Sequence, residues 1–457
     1  MAAPFSFEAL VLFGILSVLL LLGIWLRAGL RVFQKILFPA SLIGGMIGLI
    51  LANLDLFPID TELVKAFAYH LFNISFISVG LTPPEFAPKA KSKQAEIVKG
   101  SVWMAVLQAA TFSVQALVGG VFVLLFTGIG SDLFPTFGFL LPLGFNEGPG
   151  QALSIGRAWE TFGFADASTI GLTFASIGFF FAFFVGVPLA NLGLRKREFR
   201  QKPPGPFFLR GILPKGEARA SAGGLTTHSS NVDTLAFHFA QIGAVYLVTY
   251  FLLRLLAGVV PPDAAPILWG FFFLFGLVVA ILLRLLLQAT PFHHLLDPPL
   301  QRRITGTSID YLIVATGCGI QLMVVWHYIA PILVIALVGG VVTTLVVILL
   351  GSRLADYRLE RTLAIYGVVT GTVSSGLLLL RIVDPELKSP AAREIGFMNI
   401  FSVPIVGGLT FFLNVPIWWH WGLGKTCLVL LGVFLLSLVF LLPRRLWNRK
   451  PGERIND

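Results

Sequence analysis

Apolar runs of about 20 residues recur from one end of this chain to the other, and that length crosses a bilayer as helix. Such a run cannot be a soluble surface helix, and "VLFGILSVLLLLGIWL" lacks the alternation that a membrane β-strand needs. Composition agrees: 56% of the 457 residues are hydrophobic and 12% are charged, about half the charged share of a soluble domain. The expected fold class is an all-α polytopic membrane protein. Eleven spans are expected, at 6–26, 37–54, 63–82, 101–127, 168–194, 235–259, 265–288, 306–326, 330–351, 394–417 and 424–443.

Two further apolar segments, about 133–158 and 362–383, are interrupted by Gly, Ser and Pro. Each reads as a re-entrant broken hairpin, entering and leaving the membrane on one side. Charge separates this reading from full crossing, because Lys and Arg accumulate in cytoplasmic loops. With the linker that begins "RKREFRQK" inside, Arg27, Arg31, Lys35, Lys89, Lys91, Lys93, Lys99, Arg302, Arg303, Arg353, Arg358, Arg361, Lys388, Arg393 and the tail "PRRLWNRKPGERIND" also fall inside. Only Lys65, Arg157 and Lys425 fall outside. Had both segments crossed, the basic loops around 83–100 and 195–202 would face opposite sides. The expected location is therefore the cell (inner) membrane, multi-pass, with the N-terminus outside and the C-terminus cytoplasmic. The first apolar run has no basic residues before it, so it reads as an uncleaved helix.

The net charge of +10 has the same origin in the inside loops, and no nucleic-acid partner is expected. Two cysteines, Cys318 and Cys427, form no metal or disulfide framework and read as small core residues. The pair His293–His294 reads as loop surface, since no Cys or acidic cluster completes a ligand set. No Ser–His–Asp arrangement, metal motif or nucleotide loop is present, so no enzyme and no cofactor are expected. A structural membrane protein or membrane-embedded enzyme stays open as the alternative class.

"ALVGGV" occurs at Ala116–Val121 and again at Ala336–Val341. Each copy follows a helix with a central glycine ("FISVGLTP", Phe76–Pro83; "VATGCGIQL", Val314–Leu322). Each precedes an interrupted segment and then a helix opening "TIGLTFASIG" (Thr169–Gly178) or "EIGFMNIFSV" (Glu394–Val403). Five spans per half is odd, so the second copy enters from the opposite face. The expected architecture is an inverted five-helix repeat: 1–194, a cytoplasmic basic linker 195–234, a second repeat 235–417, and an added C-terminal helix with a basic tail, 418–457. Secondary transporters use this plan.

Interrupted backbone at membrane depth survives only where it is buried in protein or lines a wet cavity. There the freed amides and carbonyls become ligands, and half-helix N-termini favour an anion. Inverted symmetry would bring "GFNEGPGQA" (Gly144–Ala152) and "YGVVTGTVSSG" (Tyr366–Gly376) together near the midplane. The candidate substrate ligands are Asn146, Gly148, Gly150, Gln151, Thr372, Ser374, Ser375 and Arg381. The candidate ion ligands are Glu147, Asn73 and Thr370. Glu147 would cost about 3 kcal/mol in lipid, so it is expected to be paired, protonated or bound to a cation, unless the tip reaches back to water. The hydroxyls could instead bond back to their own helices, and Arg381 could snorkel to the interface. Arg157 is the symmetry counterpart of Arg381. Asn73 suits an ion site or a helix–helix bond, and Asp310 reads as a helix-start residue.

The chain resembles the bacterial sodium/glutamate symporter family. The closest stretch is "NEGPGQALSIGRAWETFGFADASTIGLTFASIGFFFAFFVGVPLANLGLRK", Asn146 to Lys196. "FPASLIGGMIG", "FISVGLTP" and "TGTVSSG" match further helices and the second tip, and the likeness runs from about 25 to 417. Glu147 stands where the family has a tip His, Pro149 where it has Thr, and Ser374 where it has Pro. The resemblance implies sodium-coupled uptake of glutamate or a related small organic anion by an elevator-like motion, and a homodimer. A proton-coupled or orphan organic-anion carrier is the alternative within transport.

Overall fold

The computed structural model of the protein describes residues 6–54, 60–83, 91–196, 209–213, 215–216, 221–419 and 421–443. Much of the basic sequence behind the charge argument (84–90, 197–207 and the tail 444–457) lies outside the described residues. Among those described there are helices and turns and no strand.

Eight helices are long and apolar enough to cross a membrane, and they coincide with eight of the eleven expected spans. They are α1 (Glu8–Gly29), α3 (Thr61–Leu81), α4 (Lys91–Gly128), α6 (167–196), α7 (Thr234–Ala257), α10 (Ile329–Gly351), α13 (Ala391–Phe412) and α14 (Leu423–Leu441). Their outer faces expose large apolar residues such as Leu10, Leu255, Leu349 and Leu428. So extended an apolar surface belongs against lipid: this is an all-helical, multi-pass membrane protein.

The other three spans depart from expectation. The 37–54 run is α2 (Ala40–Asn53), 14 residues long, or about 21 Å against a ~30 Å hydrocarbon core. The 265–288 run is divided at Phe271 into a short turn, Ala265–Gly270, and α8 (Phe272–Gln288). The 306–326 run is α9 (Pro298–Cys318), a break, and a turn at Leu322–His327. α9 therefore opens at Pro298, where Asp297 caps it by accepting the Leu300 N–H at 2.8 Å. Asp310 lies in its interior and is not a helix-start residue. Two other starts are capped in the same way, by Asp60 on α3 and Asp233 on α7.

The helices pack as two groups. In one, α3 lies along α9, α8 packs on α3 while α2 packs on α9, and α7 flanks α8 while α1 flanks α2. In the other, α4 is the centre, touched by α10, α13 and α14. α5 (Pro149–Glu160) packs on α6, and α11 (Arg358–Val369) pairs with α12 (Val373–Val383) as a helical hairpin. Backbone approaches backbone where α4 crosses residues 137–139: a methyl on Gly119 would lie 2.0 Å from the Gly138 carbonyl oxygen.

Two five-residue π-helical turns, Leu143–Glu147 and Phe181–Val185, interrupt the α-geometry. They face each other, with the Phe145 and Phe181 ring centroids 5.8 Å apart. Such wide turns concentrate at functional sites.

Candidate functional site

The first interruption is set by two adjacent residues. Gly148 has φ +91° and ψ −177°, a region essentially closed to side chains. Pro149 follows at the first position of α5, where its missing N–H would be unpaired anyway. The π turn therefore stops at Glu147, the chain reverses, and α5 starts afresh. The second interruption comes after Val369. Thr370 and Gly371 leave the helix, and Thr372 starts α12 by accepting the Ser375 N–H at 3.4 Å.

The two breaks are in contact. A methyl on Gly148 would lie 3.3 Å from the Gly371 carbonyl oxygen and 3.4 Å from Thr372 Cγ2. α5 and α12 thus begin side by side, so two sets of unpaired N–H groups and two positive dipole ends converge. Gly150, in the first turn of α5, lies against the Phe72 ring of α3; a methyl there would sit 2.0 Å from a ring carbon.

At the first tip the side chains fork. Asn146 Nδ2 donates to Thr111 Oγ1 at 3.0 Å and to the Gln108 carbonyl at 3.3 Å, both on α4. Glu147 turns to α13, where Thr410 Oγ1 donates to its Oε1 at 2.7 Å, with Gln151 beside it. Glu147 is partly buried, yet its second oxygen, Oε2, is buried with no hydrogen-bond partner, as is Asn146 Oδ1. α4 holds the second break as well. Gln115 Nε2 donates to the Val369 carbonyl at 3.1 Å and to Thr343 Oγ1 on α10 at 3.1 Å. Gln108, Thr111 and Gln115 follow i, i+3, i+7 spacing and form one stripe of the α4 surface.

The structure brings together Asn146, Glu147, Gly148, Gly150, Gln151, Thr372 and the buried Ser375. The remaining candidates have other surroundings. Thr370 returns its hydroxyl to the Tyr366 carbonyl at 2.7 Å, and Ser374 is exposed. Arg381 is exposed in the last turn of α12, about two turns from the tip. Asn73 is buried between α3 and α7, adjoining the Tyr69 and Tyr246 hydroxyls without a well-aligned hydrogen bond. Its sequence neighbour Phe72 is the α3 residue that meets the tip. Arg157 pairs with Glu62 on α3 and with Glu160.

Three features were not singled out from sequence: the Thr410 hydroxyl, the α4 stripe and a buried ion pair. Arg361, counted above among inside-loop cations, is 4% exposed. It makes a two-pronged pair with Glu394 of α13, Nε to Oε2 at 2.8 Å and Nη2 to Oε1 at 2.5 Å. A buried carboxylate demands such a partner. The stripe's spacing was legible in "LQAATFSVQ"; the contacts with Thr410 and Glu394 join residues 263 and 33 positions apart and leave no local signal. Cys318 and Cys427 are buried free thiols, and His293 and His294 are exposed. Among the described residues no three His, Cys, Asp or Glu side chains cluster as metal ligands.

No protein-family model matches the chain, and no characterised protein matches it.

Proposed function

We propose that the chain is a secondary active transporter that carries a small organic anion, glutamate or a related carboxylate, together with sodium. The observation that carries this reading is the meeting of the two breaks: two helix N-termini point at one place beside the Glu147 carboxylate. Convergent positive dipole ends suit an anion, and a carboxylate with a bare oxygen suits a cation. The substrate anion would lie against the first N–H groups of α5 and α12, with Gln151, Thr372 and Ser375 as side-chain ligands and Glu147 supplying charge for the coupling ion.

The helix packing supports an inverted repeat. α2 lies on α9 as α8 lies on α3, and α1 flanks α2 as α7 flanks α8. That exchange pairs the first half with the second, in the same register as the two "ALVGGV" copies on α4 and α10. The two hairpins would then be re-entrant, opening to opposite sides, and alternating access would move them against the α3–α9 group. The likeness to the sodium/glutamate symporters supports the same plan, including a homodimer in the inner membrane.

The test is uptake into liposomes under an inward sodium gradient, across a panel of amino-acid and dicarboxylate anions. Sodium-dependent accumulation of one of them is expected. In binding assays the anion should stabilise the protein only when sodium is present, because the two share one site. Equal stabilisation in sodium-free buffer across pH 6 to 8 would reject sodium coupling. A second reading, proton coupling, is favoured by Glu147 itself, since a carboxyl can carry a proton. Binding restored by acid pH alone would select it.

A further inference from the structure

The second arms of the two hairpins can be compared residue for residue. Arg157 is the ninth residue of α5 and Arg381 the ninth of α12, yet their surroundings differ. From Pro149 to Trp159 every residue of α5 is buried except Arg157. α12 keeps one face open along its length: Ser374 and Arg381 are exposed, and Leu377 and Leu378 between them are half-buried. These four recur at i, i+3, i+4 and i+7, a single helix face. The matching face of α5 is Gly150, Leu153, Ser154 and Arg157, and α3 covers it at both ends. Gly150 lies against Phe72, and Arg157 Nη2 donates to Glu62 Oε2. Between these contacts Ser154 is 2% exposed.

The outer contact is a chain of alternating charge. Lys65 Nζ lies 3.7 Å from Glu62 Oε1, Glu62 takes Arg157 Nη2, and Arg157 Nη1 donates to Glu160 Oε2 at 2.6 Å. Glu160 Oε1 is fixed in turn by the Ser168 N–H of α6, at 3.0 Å. Nothing equivalent awaits Arg381. Asp60 and Asp297 cap α3 and α9 alike, but the second residue of α3 is Glu62 and the second residue of α9 is Pro299.

We propose that Glu62 and Arg157 form a one-sided latch. It holds the first hairpin closed against α3, so that the resting protein presents its site through the open face of the second hairpin. With the start of α3 outside, as the loop charge has it, the latched side is the outer one and the open side is cytoplasmic. The latch rests on the transport reading for the second state that it holds off. Exposed ion pairs shift an equilibrium by up to about fivefold. That is enough to set a resting side and too little to prevent reversal during turnover.

The experiment follows maleimide labelling of single cysteines in the full chain, in lipid nanodiscs without any organic anion, with Cys318 and Cys427 replaced. Ser374→Cys should react fast and Ser154→Cys slowly, the latter in proportion to the population with the first hairpin open. Arg157→Gln should raise the Ser154→Cys rate by about two- to fivefold with Tm near wild type. Glu62→Gln should do the same, and the two together no more than either. Choline chloride at about 1 M, where charges are screened within about 3 Å, should raise the wild-type rate by the same factor and leave the Arg157→Gln rate unchanged. Equal labelling of Ser154→Cys and Ser374→Cys in the wild type, a rate unmoved by Arg157→Gln, or additive effects of the two variants would overturn the latch. Uptake with an unmoved Ser154→Cys rate removes the latch alone. The expected rates without uptake of any anion keep the latch and remove the transport reading.

Discussion

Glu147 and Gly148 are adjacent and do opposite things: one carries charge on a side chain, the other has none and lets the chain reverse. Glu147→Gln keeps the shape and removes the charge. Uptake per folded molecule is expected to fall at least tenfold, a ~1.4 kcal/mol effect, and its sodium dependence to change. The measurement is liposome uptake over a sodium titration at two pH values. An unchanged rate with unchanged sodium dependence would move Glu147 out of the site and leave Thr372 and Ser375 as the better candidates. Gly148→Ala acts on the backbone. At φ +91° a side chain adds about 1–3 kcal/mol of strain, read as a lower Tm, and the methyl closes on Gly371. Both residues were legible because Gly–Pro–Gly inside an apolar run has few structural explanations. Thr410 was not, since a threonine in "GLTFFLN" looks like any hydroxyl bonded to its own helix, and this one also bonds the Val406 carbonyl.

The elements that hold the breaks are tied by two kinds of ion pair. At the end of α5, Arg157 pairs with Glu62 in the first turn of α3; each is about half exposed, and an exposed pair contributes about 0–1 kcal/mol. At the start of α11, Arg361 and Glu394 are buried. Glu394→Met strands the guanidinium and Arg361→Met strands the carboxylate, and each should destabilise by about 3–5 kcal/mol, whereas the two together should recover most of the loss. Thermal unfolding of the two single variants and the double variant decides this; additive losses would deny the coupling. Helix existence was largely legible, because eight apolar runs are long enough to speak for themselves. Helix limits were not. α9 opens early because Asp297 caps it ahead of the apolar run, and the 265–288 run hides a break at Phe271 that no Gly–Pro pair announces.

At the scale of the whole molecule, the distribution of loop charge predicts sidedness. Single cysteines at positions 58 and 262 should react with an impermeant maleimide from outside, and those at 92 and 215 from inside, with Cys318 and Cys427 replaced. Labelling of 92 and 215 from opposite faces would mean that the interrupted segments cross. Asn73 shows what a linear reading misses at this scale: its polarity was legible, its direction was not, and packing turned it to Tyr69 and Tyr246 while Phe72 took the tip. The α4 stripe has a kinetic consequence. Asn146 hangs the first break on Gln108 and Thr111, and Gln115 hangs the second one two turns along the same helix. Neither break can be displaced from α4 without releasing a buried amide. Fluorophores reporting separately on the two hairpins should therefore relax with one shared rate constant, and a molecule caught with one hairpin displaced and the other at rest should be a vanishing fraction of any single-molecule record.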